Sequence, residues 1–147
     1  MIMSALNVSA SGMTAQRLRL DLISQNIANV NTTRDENGNV YRRKVPVFQE
    51  KRQGTGKLFN SMLSTASESY GKGVIVSGIA EDHVTALKKV YDPSHPDADE
   101  DGYVTLPNVN TVTEMTNLID ATRSYEANVT AFNATKNMLL RGLEVGQ

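Results

Sequence analysis

Residues 3–31, MSALNVSASGMTAQRLRLDLISQNIANVN, place Leu6, Met13, Leu20 and Ile27 at a strict seven-residue interval, with Ile23 and Val30 three positions after the last two. Seven residues are close to two helical turns, so these side chains stay on one side of a helix and drift only about 20° per heptad. The reading is a helix of about 25 residues, roughly 38 Å long at 1.5 Å per residue. Ser9, Ala10, Gln16, Arg17 and Ser24 between them are small or polar, so the stripe is thin. Gly12 inside it costs about 1 kcal/mol relative to Ala.

The other end repeats the device. Leu118, Tyr125, Phe132 and Leu139 recur every seven residues, with Met115, Val129 and Leu143 on the adjacent row, after the turn-forming Pro107-Asn108. Two terminal helices with matching seams pair most simply as an antiparallel coiled coil, with everything between them placed at one end. That middle differs in kind, since 21 of the 31 charged side chains fall in residues 34–110. A turn cluster, Asp35 to Asn39, precedes an extended run from Val40 to Phe48, whose Pro46 calls for an edge position. Val74–Ile79 and Leu87–Tyr91 read as two more strands, and the Ser-rich stretch Ser61–Ser69 between glycine pairs reads as a mobile loop. The expected fold is α+β: an N-terminal helix in 1–32, a small β-rich insert in 33–110 and a C-terminal helix in 111–147.

Composition bounds the function. The 147 residues carry net charge −1, are 39% hydrophobic, and include five Tyr, three Phe, no Trp and no Cys. Balanced charge offers nothing to hold a polyanion, which argues against nucleic acid. The absence of cysteine removes disulfides, thiolate catalysis and Cys zinc sites together. Nowhere do 18 apolar residues run consecutively, so no membrane insertion is expected, and the uncharged but polar first 16 residues form no cleaved signal core.

No catalytic constellation emerges, and neither a catalytic nor a cofactor site is expected. Gly54-Thr-Gly56-Lys57 lacks the rest of a phosphate-binding loop. His83 and His95 fit no ligand spacing, and Ser and Thr have no placed base. Asp97, Asp99 and Asp101 with Gly102 match positions 1, 3, 5 and 6 of a calcium loop, but position 12 is Asn108 and Pro107 blocks the exiting helix. An acidic turn whose Asp side chains accept backbone N–H bonds is the expected reading. The cluster Arg42-Arg43-Lys44 is expected to face solvent from an edge strand, with an inter-subunit salt bridge as its alternative.

A thin two-helix seam buries too little apolar surface to offset ordering about 60 helical residues at about 1.5 kcal/mol each. Neighbouring subunits would supply the rest, and heterologous contacts that do not close build a helical filament or tube.

Ser24-Gln-Asn26-Ile-Ala28-Asn29-Val-Asn31-Thr32 resembles the N-terminal motif of the bacterial flagellar axial proteins, which form rod, hook and hook-associated structures. Glu114 to Val129 is similar to their shared C-terminal helix. The segment from Tyr91 to Asn110, with His95-Pro96-Asp97-Ala-Asp99, Gly102-Tyr103-Val104 and Pro107-Asn108, is similar to one typical of a proximal rod member; residues 49–73 match nothing usable.

The resemblance implies a structural subunit without activity or cofactor, with the terminal helices packed around a central export channel, the insert forming the outer rod wall, and torque passing through the assembly. It implies export by the flagellar type III apparatus without a cleaved signal peptide, and residence in the basal-body rod across the periplasm. The implied partners are further copies of itself, FlgB, FlgF, FlgG, the rod-base protein FliE and the export apparatus. Leu6, Met13, Leu20 and Ile27 would form one assembly seam. Met115, Leu118, Tyr125, Val129, Phe132 and Leu139 would form the other. Asn26, Asn29 and Asn31 are expected to end the first helix through side-chain bonds to the backbone, helped by asparagine's tolerance of left-handed conformations. Two other classes stay open at this point: a calcium-responsive adaptor built on Asp97 to Asp101, and a stand-alone coiled-coil binding module. Within the resembling family, another short axial protein such as FlgB also remains.

Overall fold

The computed structural model describes residues 2–34, 38–51 and 72–145. Two long helices, α1 (Ile2–Ala28) and α2 (Thr111–Val145), flank four strands: β1 (Lys44–Glu50), β2 (Val74–Glu81), β3 (Lys88–Tyr91) and β4 (Tyr103–Leu106). The fold is α+β as the two seven-residue repeats require. The expected Ser61–Ser69 loop and the Gly54 to Lys57 stretch lie outside the described residues.

Both helices are rich in Asn, Ser and Thr, and many of these side chains bond back to their own helix. Thr14, Thr116, Thr122, Ser124, Asn128, Thr130 and Thr135 each donate to the carbonyl four residues earlier. Asn110 caps α2, its Oδ1 accepting the Val112 and Thr113 amides at 3.0 and 3.3 Å. Glu114 follows within the first turn, where the helix dipole favours a carboxylate. At the end of α1 the Asn29 amide and side chain both donate to the Gln25 carbonyl, at 3.1 and 2.9 Å, and Thr32 Oγ1 donates to Asn29 Oδ1. Among the described residues only glycines have positive φ, so Asn29 acts at the helix end by hydrogen bonding and not by left-handed geometry, while the Asn26 side chain bonds outside its helix.

The helices are antiparallel: Gly12 lies against Asn128, Arg19 Nη2 bonds Asn117 Oδ1, and Asn26 bonds Glu114, so partners descend α2 as they ascend α1. The apolar core is small, comprising Ala15, Leu22, Ile23, Val104 and Ala121 among the described residues. On α1 the buried row runs through Ala15, Leu22 and Asn26. The Leu6, Met13, Leu20, Ile27 row is half-buried and displaced from it, Leu20 by about 140° from Ala15 at 3.6 residues per turn.

β1 pairs antiparallel with β2, and β3 with β4, as two separate two-stranded sheets. Pro46 sits opposite Ile79 in β1, which has no second neighbour among the described residues, the edge position expected of a proline. A bulge between Val47 and Phe48 shifts the register. β4 is absent from the sequence reading; its Tyr103 pairs with Tyr91, ring centroids 5.2 Å apart edge to face. Ser11 Oγ accepts the Val74 amide at 3.1 Å and fastens the first sheet to α1.

Candidate functional site

The most heavily bonded place among the described residues is where the helix pair meets the insert, and it is polar. Asn26, in the last turns of α1, is 1% exposed. Its Oδ1 accepts the Lys44 amide and the Tyr41 hydroxyl, both at 2.9 Å, while its Nδ2 donates to the Lys44 carbonyl at 2.9 Å and Glu114 Oε2 at 3.1 Å. Both donors and both acceptor lone pairs of the amide are therefore used. The pair of hydrogen bonds to the Lys44 amide and carbonyl makes the end of α1 act as a neighbour to the start of β1.

Glu114, also 1% exposed, receives Arg43 Nε on Oε1 at 2.8 Å. A buried carboxylate persists only when paired and hydrogen-bonded, and here it has both kinds of partner. This corrects the expectation of a solvated basic cluster. Arg43 turns inward to an intrachain partner, Arg42 Nη1 donates to the Asp82 carbonyl, and Lys44 Nζ lies 5.5 Å from the Tyr41 ring centre.

Asn108 completes the junction from the segment between β4 and α2. Its Oδ1 accepts the Arg43 amide at 2.9 Å and its Nδ2 donates to the carbonyls of Asp82 and Thr85 at 2.8 and 3.2 Å. Pro107 beside it is fully buried. One amide thus ties together the chain before β1, the loop after β2 and the approach to α2. Asp82 then accepts the Val84 and Thr85 amides and the Thr85 hydroxyl. Those bonds hold its carboxyl below the ordinary aspartate pKa, with the Thr85 amide contributing most. Burial, followed by the negative charges of Glu114 and Glu81, raises the Tyr41 phenol.

The acidic segment is a self-bonded turn. Asp92 Oδ1 accepts the Ser94 amide and hydroxyl, which lowers its pKa. His95 Nδ1 accepts the Asp97 amide, and Asp99 Oδ1 accepts the amides of Asp101 and Tyr103. Gly102 has φ of +80°, and a Cβ there would meet the Tyr91 ring at 3.0 Å, so glycine is required. Asp97 reaches back to the end of the first helical segment, accepting Thr33 Oγ1 at 2.6 Å and lying 3.4 Å from Arg34 Nε. Pro96 and Asp99 are exposed, His95 half-buried. Among the described residues no three His, Cys, Asp or Glu side chains come together to hold a metal ion.

The structure thus brings Asn26 and Asn108 into one network, leaves Ala28 and Asn31 exposed, and uses Asn29 and Thr32 in the helix stop. Leu118, Tyr125, Val129, Phe132 and Leu139 are half-buried along α2, and Met115 is 52% exposed. Sequence reasoning passed over Glu114, Arg43 and Tyr41 as parts of a site. The available signal was an acid four residues after the capping Asn110.

No base, nucleophile or ion site converges here; what the geometry does is fix the angle at which the insert leaves the helix pair. Comparison with known proteins agrees with that architecture at both ends. A family model described as flagella basal body rod protein matches residues 6–34, and one described as flagellar basal body rod FlgEFG protein C-terminal matches residues 100–145. The chain is 50% identical over 147 residues to the flagellar basal-body rod protein FlgC of Bacillus subtilis, covering 97% of each. It is 43% identical to that of Borreliella burgdorferi, covering 99% of this chain and 98% of the relative. It is also 43% identical to that of Aquifex aeolicus, covering 97% and 96%. With the likeness running through both helices and the insert alike, the chain belongs to the FlgC family of flagellar basal-body rod proteins.

Proposed function

We propose that this chain is a structural subunit of the proximal rod of the bacterial flagellar basal body, assembling helically with other rod proteins around the export channel to transmit torque. The observation that carries this reading is the end-to-end likeness to rod proteins of a chain whose bonding is spent on joining a helix pair to an insert. A subunit that transmits torque needs its outer and inner parts rigidly coupled, and the Asn26, Glu114 and Asn108 network supplies that coupling.

In this reading residues 1–32 and 111–147 form the inner, axial layer and 33–110 the outer wall. The half-buried row of Leu6, Met13, Leu20 and Ile27 and the row of Leu118, Tyr125, Phe132 and Leu139 meet neighbouring subunits, with Met115 and Val129 beside them. Asn26, Ala28, Asn29, Asn31 and Thr32 shape the exit from α1, and His95 to Asn108 form the connector to α2. FlgB, FlgF, FlgG and FliE are the neighbours, and the flagellar type III apparatus exports the chain without a cleaved signal peptide into a rod that crosses the periplasm. The protein performs no catalysis and takes no cofactor. No described helix is long and apolar enough to cross a membrane, and membrane insertion has no part in the role.

The test is electron cryo-tomography of basal bodies in a strain of the source bacterium lacking the gene, with a complemented control. An inner-membrane ring bearing no rod, or a rod cut short at its base, is the expected result. Complete, motile flagella without the chain would overturn the reading.

A further inference from the structure

Where the chain enters β1, acids and bases do not balance. The Glu114 carboxylate is taken by Arg43 and Asn26, and that of Asp82 by the Val84 and Thr85 amides and the Thr85 hydroxyl. Glu81 stands opposite Lys44 in the ladder, yet its carboxylate lies 3.7 Å from His83 Nε2. Arg42 and Lys44 are therefore half-buried with no carboxylate in salt-bridge reach among the described residues. Arg42 Nη1 donates to the Asp82 carbonyl at 3.3 Å, and Lys44 Nζ lies over the Tyr41 ring. Both cations open onto one cleft of about 330 Å³, with Tyr41 beside them and Glu81 and His83 across from them. The cleft is held in shape from behind. Asn26 fixes the Lys44 backbone by two bonds and the Tyr41 hydroxyl by a third, and Asn108 fixes the Arg43 amide between the two cations.

We propose that this cleft receives an aspartate or glutamate side chain of an adjoining protein subunit; this rests on the rod reading above. Charge selects the occupant. Leaving His83 aside, the lining has the two cations Arg42 and Lys44 against the one carboxylate of Glu81, an excess that a single incoming carboxylate neutralises. A phosphate dianion would overshoot that excess and meet Glu81. Arg42 has further N–H donors beyond the one given to Asp82, and a guanidinium beside an ammonium holds both oxygens of a carboxylate by charge-assisted hydrogen bonds. A half-buried cation gains most from a partner that also keeps water away, as a side chain on a packed neighbour does. The cleft residues all belong to the insert, so this contact is separate from the apolar rows of the helix pair.

Purified basal bodies are treated with a water-soluble carbodiimide, which joins an ammonium directly to a carboxylate in contact with it, and the peptides containing Lys44 are read by mass spectrometry. An amide between Lys44 Nζ and an acidic side chain of a second molecule is expected, in a band heavier than the chain itself. Lys44→Arg, whose guanidinium does not couple, is expected to lose it. Arg42→Gln combined with Lys44→Gln is expected to lower the amount of the chain in basal bodies several-fold, with folding of the purified variant checked by its melting curve. Coupling of Lys44 only to Asp35, Glu36 or Glu81 of its own chain, or no coupling of Lys44 where other lysines of the chain couple, would overturn the proposal. Full incorporation of the double variant would overturn it too. Binding of the purified chain to phosphatidylglycerol vesicles that the double variant loses would assign the cleft to a phosphate headgroup and overturn it as well. Absence of the unsubstituted chain from basal bodies would instead overturn the rod reading, and is seen before any coupling.

Discussion

The Glu114 carboxylate lies 2.8 Å from Arg43 Nε and is 1% exposed, so a buried negative charge in the first turn of α2 is neutralised by the residue that leads into β1. Removing either partner leaves the other charge poorly compensated, which costs about 3 kcal/mol for a buried pair. Arg43→Ala is expected to lower stability by about that amount, because it strands a carboxylate that is 1% exposed, with Glu114→Ala somewhat less harmful because the Arg43 left behind keeps partial access to water. Urea unfolding of the purified chains checks this. A change below about 0.5 kcal/mol in both would remove the pair from any account of stability.

Asn26 donates toward Glu114 and accepts from Lys44, so Asn26→Asp replaces a donor with an acceptor 3.1 Å from a second carboxylate. Repulsion raises the folded-state pKa of the new acid above its unfolded value. Its stabilising, protonated form is then fully present below about pH 3.9 and lost as pH rises through the raised folded pKa. The variant is expected to be less stable than the parent at pH 7 and to recover part of the loss toward pH 5. Equal losses at both pH values would contradict the assigned amide orientation.

A Cβ on Gly12 would lie 2.6 Å from Asn128 Oδ1, a flexible side chain whose Nδ2 donates to the Ser124 carbonyl at 2.7 Å. Gly12→Ala gains about 1 kcal/mol of helix propensity and gives back about 1 kcal/mol when Asn128 swings off that bond. Near-neutral stability is expected, whereas Gly12→Leu costs about 1–3 kcal/mol by forcing the helices apart. Circular dichroism melts distinguish them; equal melting of the Leu variant and the parent would show that the helices do not approach closely here.

Asp82 has its pKa lowered by hydrogen bonds from Thr85 and Val84, so the stability it contributes is present above the unfolded carboxylate pKa and lost as pH falls through the lower folded value. Melting temperature should be level above about pH 5 and decline in acid below about pH 4, with a shallower decline in Asp82→Asn. Tyr41, raised by burial, gives the opposite limb: its contribution is intact below about pH 10 and lost as pH rises through the folded value. A profile unchanged by Asp82→Asn would show that the turn after β2 does not contribute.

Leu20 is half-buried on the outer half of α1, where an acid can reach water in the isolated chain. Leu20→Asp is expected to leave synthesis and folding intact and to stop rod assembly, read as loss of motility with normal chain levels in the cell. Phe132→Asp should stop assembly too, with some loss of folded stability, since its row faces the α1 side of α2. Normal motility in either variant would remove its row from the assembly surface.

Both helices were legible because the sequence writes their period in large apolar residues. Which face of α1 packs was not, because the contact is made by residues that an apolar pattern does not count: Gly12 and Ala15, with Ala121 across from them, allow close approach, and Asn26 and Glu114 bond across it. Arg43 looked solvated because its partner stands 71 residues away, a separation no local pattern reports. β4 went unread because Tyr103-Val104-Thr105-Leu106 is only four residues long and follows an acidic turn that reads as an ion loop. Pro46 gave its edge position correctly, since a missing N–H constrains a strand whatever its surroundings.

The most direct measurement is an electron cryo-microscopy map of the basal body from the source bacterium, with the rod resolved well enough to trace side chains. The account predicts this chain at the base of the rod, its helix pair lining the inner layer, the two small sheets outside, and Asn26 and Glu114 in contact in every copy. Subunits with the sheets facing the channel, or with that contact broken and the insert at varied angles to the helices, would contradict it.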